Sequence, residues 1–111
     1  MKQLIECVPN ISEGRDLEKI NAIAKIVETI KGVKLLNIDP GAATNRTVIT
    51  FVGEPKPAID AAFLLIKKAQ ELIDMSSHEG EHPRMGATDV CPIVPISNIS
   101  MKECVLSLIH I

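Results

Sequence analysis

Thr47-Val48-Ile49-Thr50-Phe51-Val52 is β-branched or aromatic at every position. That is the composition of a strand covered on both faces. Gly53 ends it. On its upstream side lies a short polar loop, and before that Val33 to Asp39 reads as another strand, halted by Pro40-Gly41. Farther upstream, Leu17, Ile20, Ile23 or Ala24, Val27 and Ile30 recur at three- and four-residue spacing. This predicts an amphipathic helix over 16–31, with Asp16 at the positive end of its dipole and Gly32 as the C-terminal cap. Leu4 to Val8 is a first short strand, stopped by Pro9-Asn10.

Downstream of the central run, Pro55 and Pro57 announce a second helix, because proline is tolerated in a first turn and not in an interior. Ile59, Ala62, Phe63, Ile66, Ala69 or Gln70, and Ile73 mark its expected buried stripe, with Lys67, Lys68 and Glu71 on the wet side. Val90 to Ile96 is a last strand, and its Pro92 and Pro95 suit an edge, where a missing donor faces solvent. The order is βαββαβ. It predicts an α+β, ferredoxin-like fold: a mostly antiparallel sheet with two helices on one face, strands one and three central, two and four at the edges.

The chain has 111 residues, 12 Lys+Arg against 14 Asp+Glu, and a formal charge of −2. This length supports one domain with a modest core. Phe51 and Phe63 are the only aromatic residues. A slightly acidic chain without Trp or Tyr lacks the basic field and stacking platforms of a nucleic-acid binder. No apolar run approaches the roughly 20 residues of a membrane span. Glu6 and Pro9 interrupt what would have to be the apolar core of a signal peptide, so a cytoplasmic protein is expected. Cys7, Cys91 and Cys104 are odd in number and widely spaced, which fits packed, reduced thiols better than a disulfide framework or a metal pair.

The densest reactive cluster is His78-Glu79-Gly80-Glu81-His82. Its spelling matches H-E-x-x-H, which binds zinc only when both histidines share a helical face. Gly80 inside the stretch and Pro83 after it oppose a helix, so no metal is expected. His82-Pro83-Arg84 instead reads either as part of an active-site loop, with an imidazole that can act as acid or base near neutral pH, or as a turn. Asn10 and Asp39 stand at strand ends, where turn chemistry explains most such residues, and Arg46 stands before the third strand, where a solvated charge suffices. Ser12-Glu13-Gly14-Arg15 offers a weak anion cradle at the helix start.

Leu106-Ser107-Leu108-Ile109-His110-Ile111 closes the chain as an apolar hexapeptide. CTG TCT CTT ATA CAC ATC, one reading frame of a transposon mosaic-end adaptor, encodes the same six residues. Residues 106–111 are therefore expected to be a non-native tail, with 1–105 the genuine part of a longer protein.

Several of these stretches together resemble the formiminotransferase family. They are Glu6-Cys7-Val8-Pro9-Asn10-Ile11-Ser12-Glu13-Gly14, Thr44-Asn45-Arg46-Thr47-Val48, Phe51-Val52-Gly53, Gly80-Glu81-His82-Pro83-Arg84-Met85-Gly86-Ala87 and Asp89-Val90-Cys91-Pro92. The resemblance runs from the start of the chain to about Val105. It implies an incomplete N-terminal subdomain of an enzyme that moves a formimidoyl group from N-formimidoyl-L-glutamate to tetrahydrofolate in histidine breakdown. It also implies two ferredoxin-like subdomains with folate between them, and a homodimer at full length. His82 would be the acid/base. The folate amine must lose a proton as it attacks, and the departing glutamate nitrogen must gain one.

Arg46 and Arg84 would hold substrate carboxylates, and Asn10 and Asp39 would contact substrate or orient His82. The principal folate contacts and second subdomain are absent, so full activity is not expected of these residues alone. Two other readings remain. One is a glutamate formyltransferase making 5-formyltetrahydrofolate; the other is a non-catalytic ferredoxin-like module that binds a ligand or a partner.

Overall fold

The computed structural model describes residues 3–73 and 87–97. Six strand segments form one antiparallel sheet: β1 (Leu4–Cys7), β2 (Asn10–Ile11), β3 (Val33–Gly41), β4 (Arg46–Gly53), β5 (Thr88–Val90) and β6 (Ile93–Ser97). α1 (Leu17–Lys25), prolonged by a 3-10 turn over Ile26–Thr29, and α2 (Pro55–Leu72) complete the described elements. β4 pairs with β3 on one side and with β1 and β2 on the other; β1 in turn pairs with β6, and β2 with β5. With β1/β2 and β5/β6 each counted as one interrupted strand, strands one and three are central and strands two and four are edges. This is the ferredoxin-like arrangement expected from the element order.

Both interruptions have the same cause. Pro9 and Pro92 cannot donate to a ladder, and they fall in breaks that lie beside one another across the sheet. The Val8 amide donates to the Pro92 carbonyl at 2.9 Å, and the Pro9 carbonyl accepts from Ile49 N at 3.0 Å, so the neighbouring groups stay paired. The last strand, read as continuous from Val90 to Ile96, is thus two segments parted at Cys91-Pro92. β3 continues through Pro40 and Gly41, because an edge strand can leave the missing amide unpaired.

The central strand corrects one expectation. Among the described residues β4 is not covered on both faces: Thr47, Ile49, Phe51 and Gly53 are buried, whereas Arg46, Val48, Thr50 and Val52 are half-buried. Both helices contribute to a single core on one side of the sheet, where Ile5, Cys7, Ile11, Ile49 and Phe51 meet Ile20, Ile23, Val27, Ala58, Ile59 and Leu65. The opposite face carries no element of the described residues. Register assigns Glu6, Val52 and Val94 to it in one row, and Asp39, Val48, Asn10 and Val90 in another.

Helix α1 begins where the sequence predicts. The Asp16 carboxylate accepts from the amides of Glu18 and Lys19 at 3.1 and 3.2 Å, an N-cap of about 1 kcal/mol. Its stripe is Ile20, Ile23, Ala24 and Val27; Leu17, assigned to that stripe, is 60% exposed. Gly32 adopts φ +91°, a left-handed conformation open to glycine at no steric penalty, and turns the chain into β3.

The stripe of α2 keeps Ile59, Ala62, Ala69 and Ile73 of the expected one and exchanges Phe63 and Ile66 for Ala58, Ala61 and Leu65. Ala58, Ile59, Ala61, Ala62, Leu65 and Ala69 are buried, while Phe63 is 55% and Ile66 38% exposed. Four alanines give this face the smallest radius, so the helix can settle close to the sheet along it. Of the expected stripe only Phe63 and Ile66 fall on the outer side.

Candidate functional site

The end of the sheet where β2 meets the β3–β4 turn gathers two of the residues singled out from the sequence. Asn10 is 9% exposed and lies in β2, opposite Val48 of β4 and Val90 of β5. Its Nδ2 donates to the Val8 carbonyl at 2.8 Å, and its Oδ1 accepts from Arg46 Nε at 3.0 Å. The first bond orients the amide; the second orients the guanidinium of the half-buried Arg46, on the sheet face that carries no element of the described residues. A guanidinium held in this way is suited to a planar anion such as a carboxylate.

Asp39 sits on the same face, directly across β4 from Asn10, because both pair with Val48. Two strand spacings separate their backbones, about 10 Å. The sheet thus aligns Asp39 with the Asn10–Arg46 pair and leaves it exposed on β3. His82 and Arg84 lie outside the described residues, as do the other members of the His78–His82 cluster. The chain re-enters the described part at Ala87, whose carbonyl accepts from Ser12 N at 2.8 Å, two residues after Asn10.

The loop of residues 12–16 is not an anion cradle. Glu13 Oε2 accepts from the amides of Arg15 and Asp16, both at 3.1 Å, and the Asp16 carboxylate takes the amides of Glu18 and Lys19. The donors that an external anion would use are already engaged by the chain's own carboxylates. The loop serves instead as a clamp on the β3–β4 turn. Gly14 N donates to Asn45 Oδ1 at 2.8 Å, Thr47 Oγ1 donates to the Glu13 carbonyl, and Arg15 Nε donates to the Ala42 carbonyl at 2.9 Å. Gly14 and Asn45 were not predicted as site residues. The available signal was the glycine between two charged residues, read as part of a weak anion cradle, and an asparagine entering a strand; neither points to the other until they are found together.

Cys91, in the break between β5 and β6, packs against the core, and burial pushes its thiol from 9.0 up to about 11. The folded state therefore favours the neutral thiol. As pH rises from about 9 to about 11 the unfolded chain ionises first, and this residue's contribution to stability declines through that window. At pH 8, peptide mapping after brief iodoacetamide treatment should show Cys91 labelled at least tenfold more slowly than a free cysteine. Labelling at the free rate would contradict its burial. Among the described residues no three His, Cys, Asp or Glu side chains cluster as metal ligands, and no helix is long and apolar enough to cross a membrane.

Comparison with known proteins adds to this geometry. Residues 4–108 match the family described as "Formiminotransferase domain, N-terminal subdomain". Formimidoyltransferase-cyclodeaminase of Gallus gallus is 56% identical over 106 residues, which is 96% of this chain and 20% of that protein. Glutamate formimidoyltransferase of Streptococcus pyogenes serotype M1 is 50% identical over 105 residues, 95% of this chain and 35% of that protein. The enzyme of the same name from Thermoplasma acidophilum is 50% identical over 102 residues, 92% of this chain and 34% of that protein. The chain thus spans between a fifth and about a third of the length of these relatives. With the βαββαβ sheet and a family match over nearly its whole length, the chain belongs to the formiminotransferase family, as its N-terminal subdomain.

Proposed function

We propose that the full-length protein transfers the formimidoyl group of N-formimidoyl-L-glutamate to N5 of tetrahydrofolate, a cytoplasmic step of histidine breakdown. A bond forms from the folate nitrogen to the amidine carbon, and the bond from that carbon to the glutamate nitrogen breaks. His82 takes the proton that the attacking amine loses and returns one to the departing nitrogen, so the imidazole is restored each turnover. As written, the step uses no metal. Arg46 and Arg84 hold substrate carboxylates, Asn10 holds Arg46, and Asp39 contacts substrate or orients His82.

The observation that carries this reading is the 3.0 Å hydrogen bond from Arg46 Nε to Asn10 Oδ1 on the sheet face opposite the two described helices. It supports a carboxylate-binding role, since an oriented guanidinium loses less freedom when it grips an anion. Further support comes from the relatives that carry the name glutamate formimidoyltransferase. In this reading the working unit is a homodimer, and the present residues are inactive alone because the remainder of the protein completes the folate site.

The test is an assay of glutamate release by the full-length gene product with tetrahydrofolate and either formimidoyl- or formyl-glutamate. Release from the formimidoyl donor, with little from the formyl donor, is the expected outcome. Preference for the formyl donor would convert the assignment to a formyltransferase. Release from neither would leave a ligand-binding module and end the transferase reading.

A further inference from the structure

We propose that Asn45 is a positioning residue for substrate binding, holding Arg46 in line with Asn10 by anchoring the β3–β4 turn to the loop before α1. The inference rests on the carboxylate-binding reading of Arg46 given above. Asn45 is 7% exposed and adopts φ +53°, a left-handed backbone that asparagine reaches more readily than most residues. In an ordinary turn such an asparagine bonds within its own neighbourhood. Here its Oδ1 reaches across 31 positions to accept from Gly14 N at 2.8 Å, in a buried bond.

The surroundings leave that bond little freedom to shift. A Cβ on Gly14 would meet the Gly41 carbonyl oxygen, the Arg46 nitrogen at 2.5 Å and the Arg46 oxygen at 2.9 Å, so the loop backbone lies directly against the turn. Thr47 Oγ1 reaches the Glu13 carbonyl on the other side of Arg46. Arg46 is thus flanked by two side chains that both anchor to the same loop, and its Nε is left aimed at Asn10 Oδ1. Asn45 sets both the backbone direction from which Arg46 departs and the distance of the turn from the loop.

The experiment uses the full-length gene product with Asn45→Gly, which keeps the left-handed backbone and removes the acceptor, and Asn45→Asp, which restores an acceptor oxygen. Steady-state kinetics with N-formimidoyl-L-glutamate are combined with hydrogen exchange at the Arg46 Nε–H in 15N-arginine-labelled protein. Asn45→Gly should raise KM on the order of tenfold, with most of the loss in KM rather than kcat, and should speed exchange at Nε–H by a similar factor. Asn45→Asp should recover most of both. Unchanged exchange in Asn45→Gly would overturn the positioning role and leave the reading of Arg46 intact. A uniform loss of kcat and thermal midpoint, without a KM change or rescue by aspartate, would reduce Asn45 to a structural residue. Arg46→Ala is the separate control: if it leaves KM unaltered, the carboxylate reading itself fails, whatever the exchange data show for Asn45.

Discussion

Full-length protein carrying His82→Ala is expected to lose between about a hundredfold and ten-thousandfold in kcat, with the substrates' KM values changed little. The size follows from the task assigned to the imidazole. Two proton transfers of opposite direction accompany one exchange of C–N bonds, and an imidazole can both accept and donate a proton near neutral pH. Arg84 is a fixed cation, and Asn10 does not titrate. Added imidazole should recover a measurable share of the lost rate in the alanine variant. Turnover within twofold of the parent would remove His82 from the mechanism, and loss without imidazole rescue would point to a structural role for that side chain.

Gly14→Ala should be the most disruptive small substitution among the described residues. The added methyl group would collide with the Gly41 carbonyl oxygen and with backbone atoms of Arg46 at 2.5 and 2.9 Å. No side chain rotation can relieve contacts with backbone, so the loop and the turn must part. We expect a loss of about 2–4 kcal/mol of stability by denaturant titration, together with weaker binding of the glutamate substrate as the Asn45 and Thr47 bonds stretch. Gly41→Ala provides the contrast. Its nearest obstacle is Thr44 Oγ1 at 2.9 Å, the end of a rotatable side chain, and then the Arg46 oxygen at 3.3 Å. It should lose no more than about 1 kcal/mol. Equal effects of the two substitutions would show that the loop is not clamped against the turn.

Much of the fold was legible because its signals are local. The β-branched run from Thr47 to Val52, the helical spacing of Ile20, Ile23 and Val27, and the prolines of the first turn of α2 each select an element without reference to the rest of the chain. Errors arose where a neighbour decides. Phe63 and Ile66 fit a helical stripe as well as Ala58 and Ala61 do, and only the closeness of the sheet makes the small face the inner one. Val48 and Val52 suit a strand covered on both faces, yet both helices are on one side, and no local pattern reports that.

The candidate site divides in the same way. Asn10 and Arg46 could be named from the family strings they belong to, and Asp39 from its place before Pro40-Gly41. That Arg46 meets Asn10, that Asp39 is aligned with them across β4 without touching, and that Glu13 fills its own loop could not. Element types, their order and the family are properties of contiguous residues and were written in the chain. Which side chains converge depends on register, since moving one strand by a single residue sends its side chains to the opposite face. The contact of Gly14 with Asn45, residues 31 positions apart, exists only once β2 and β4 have paired in that register.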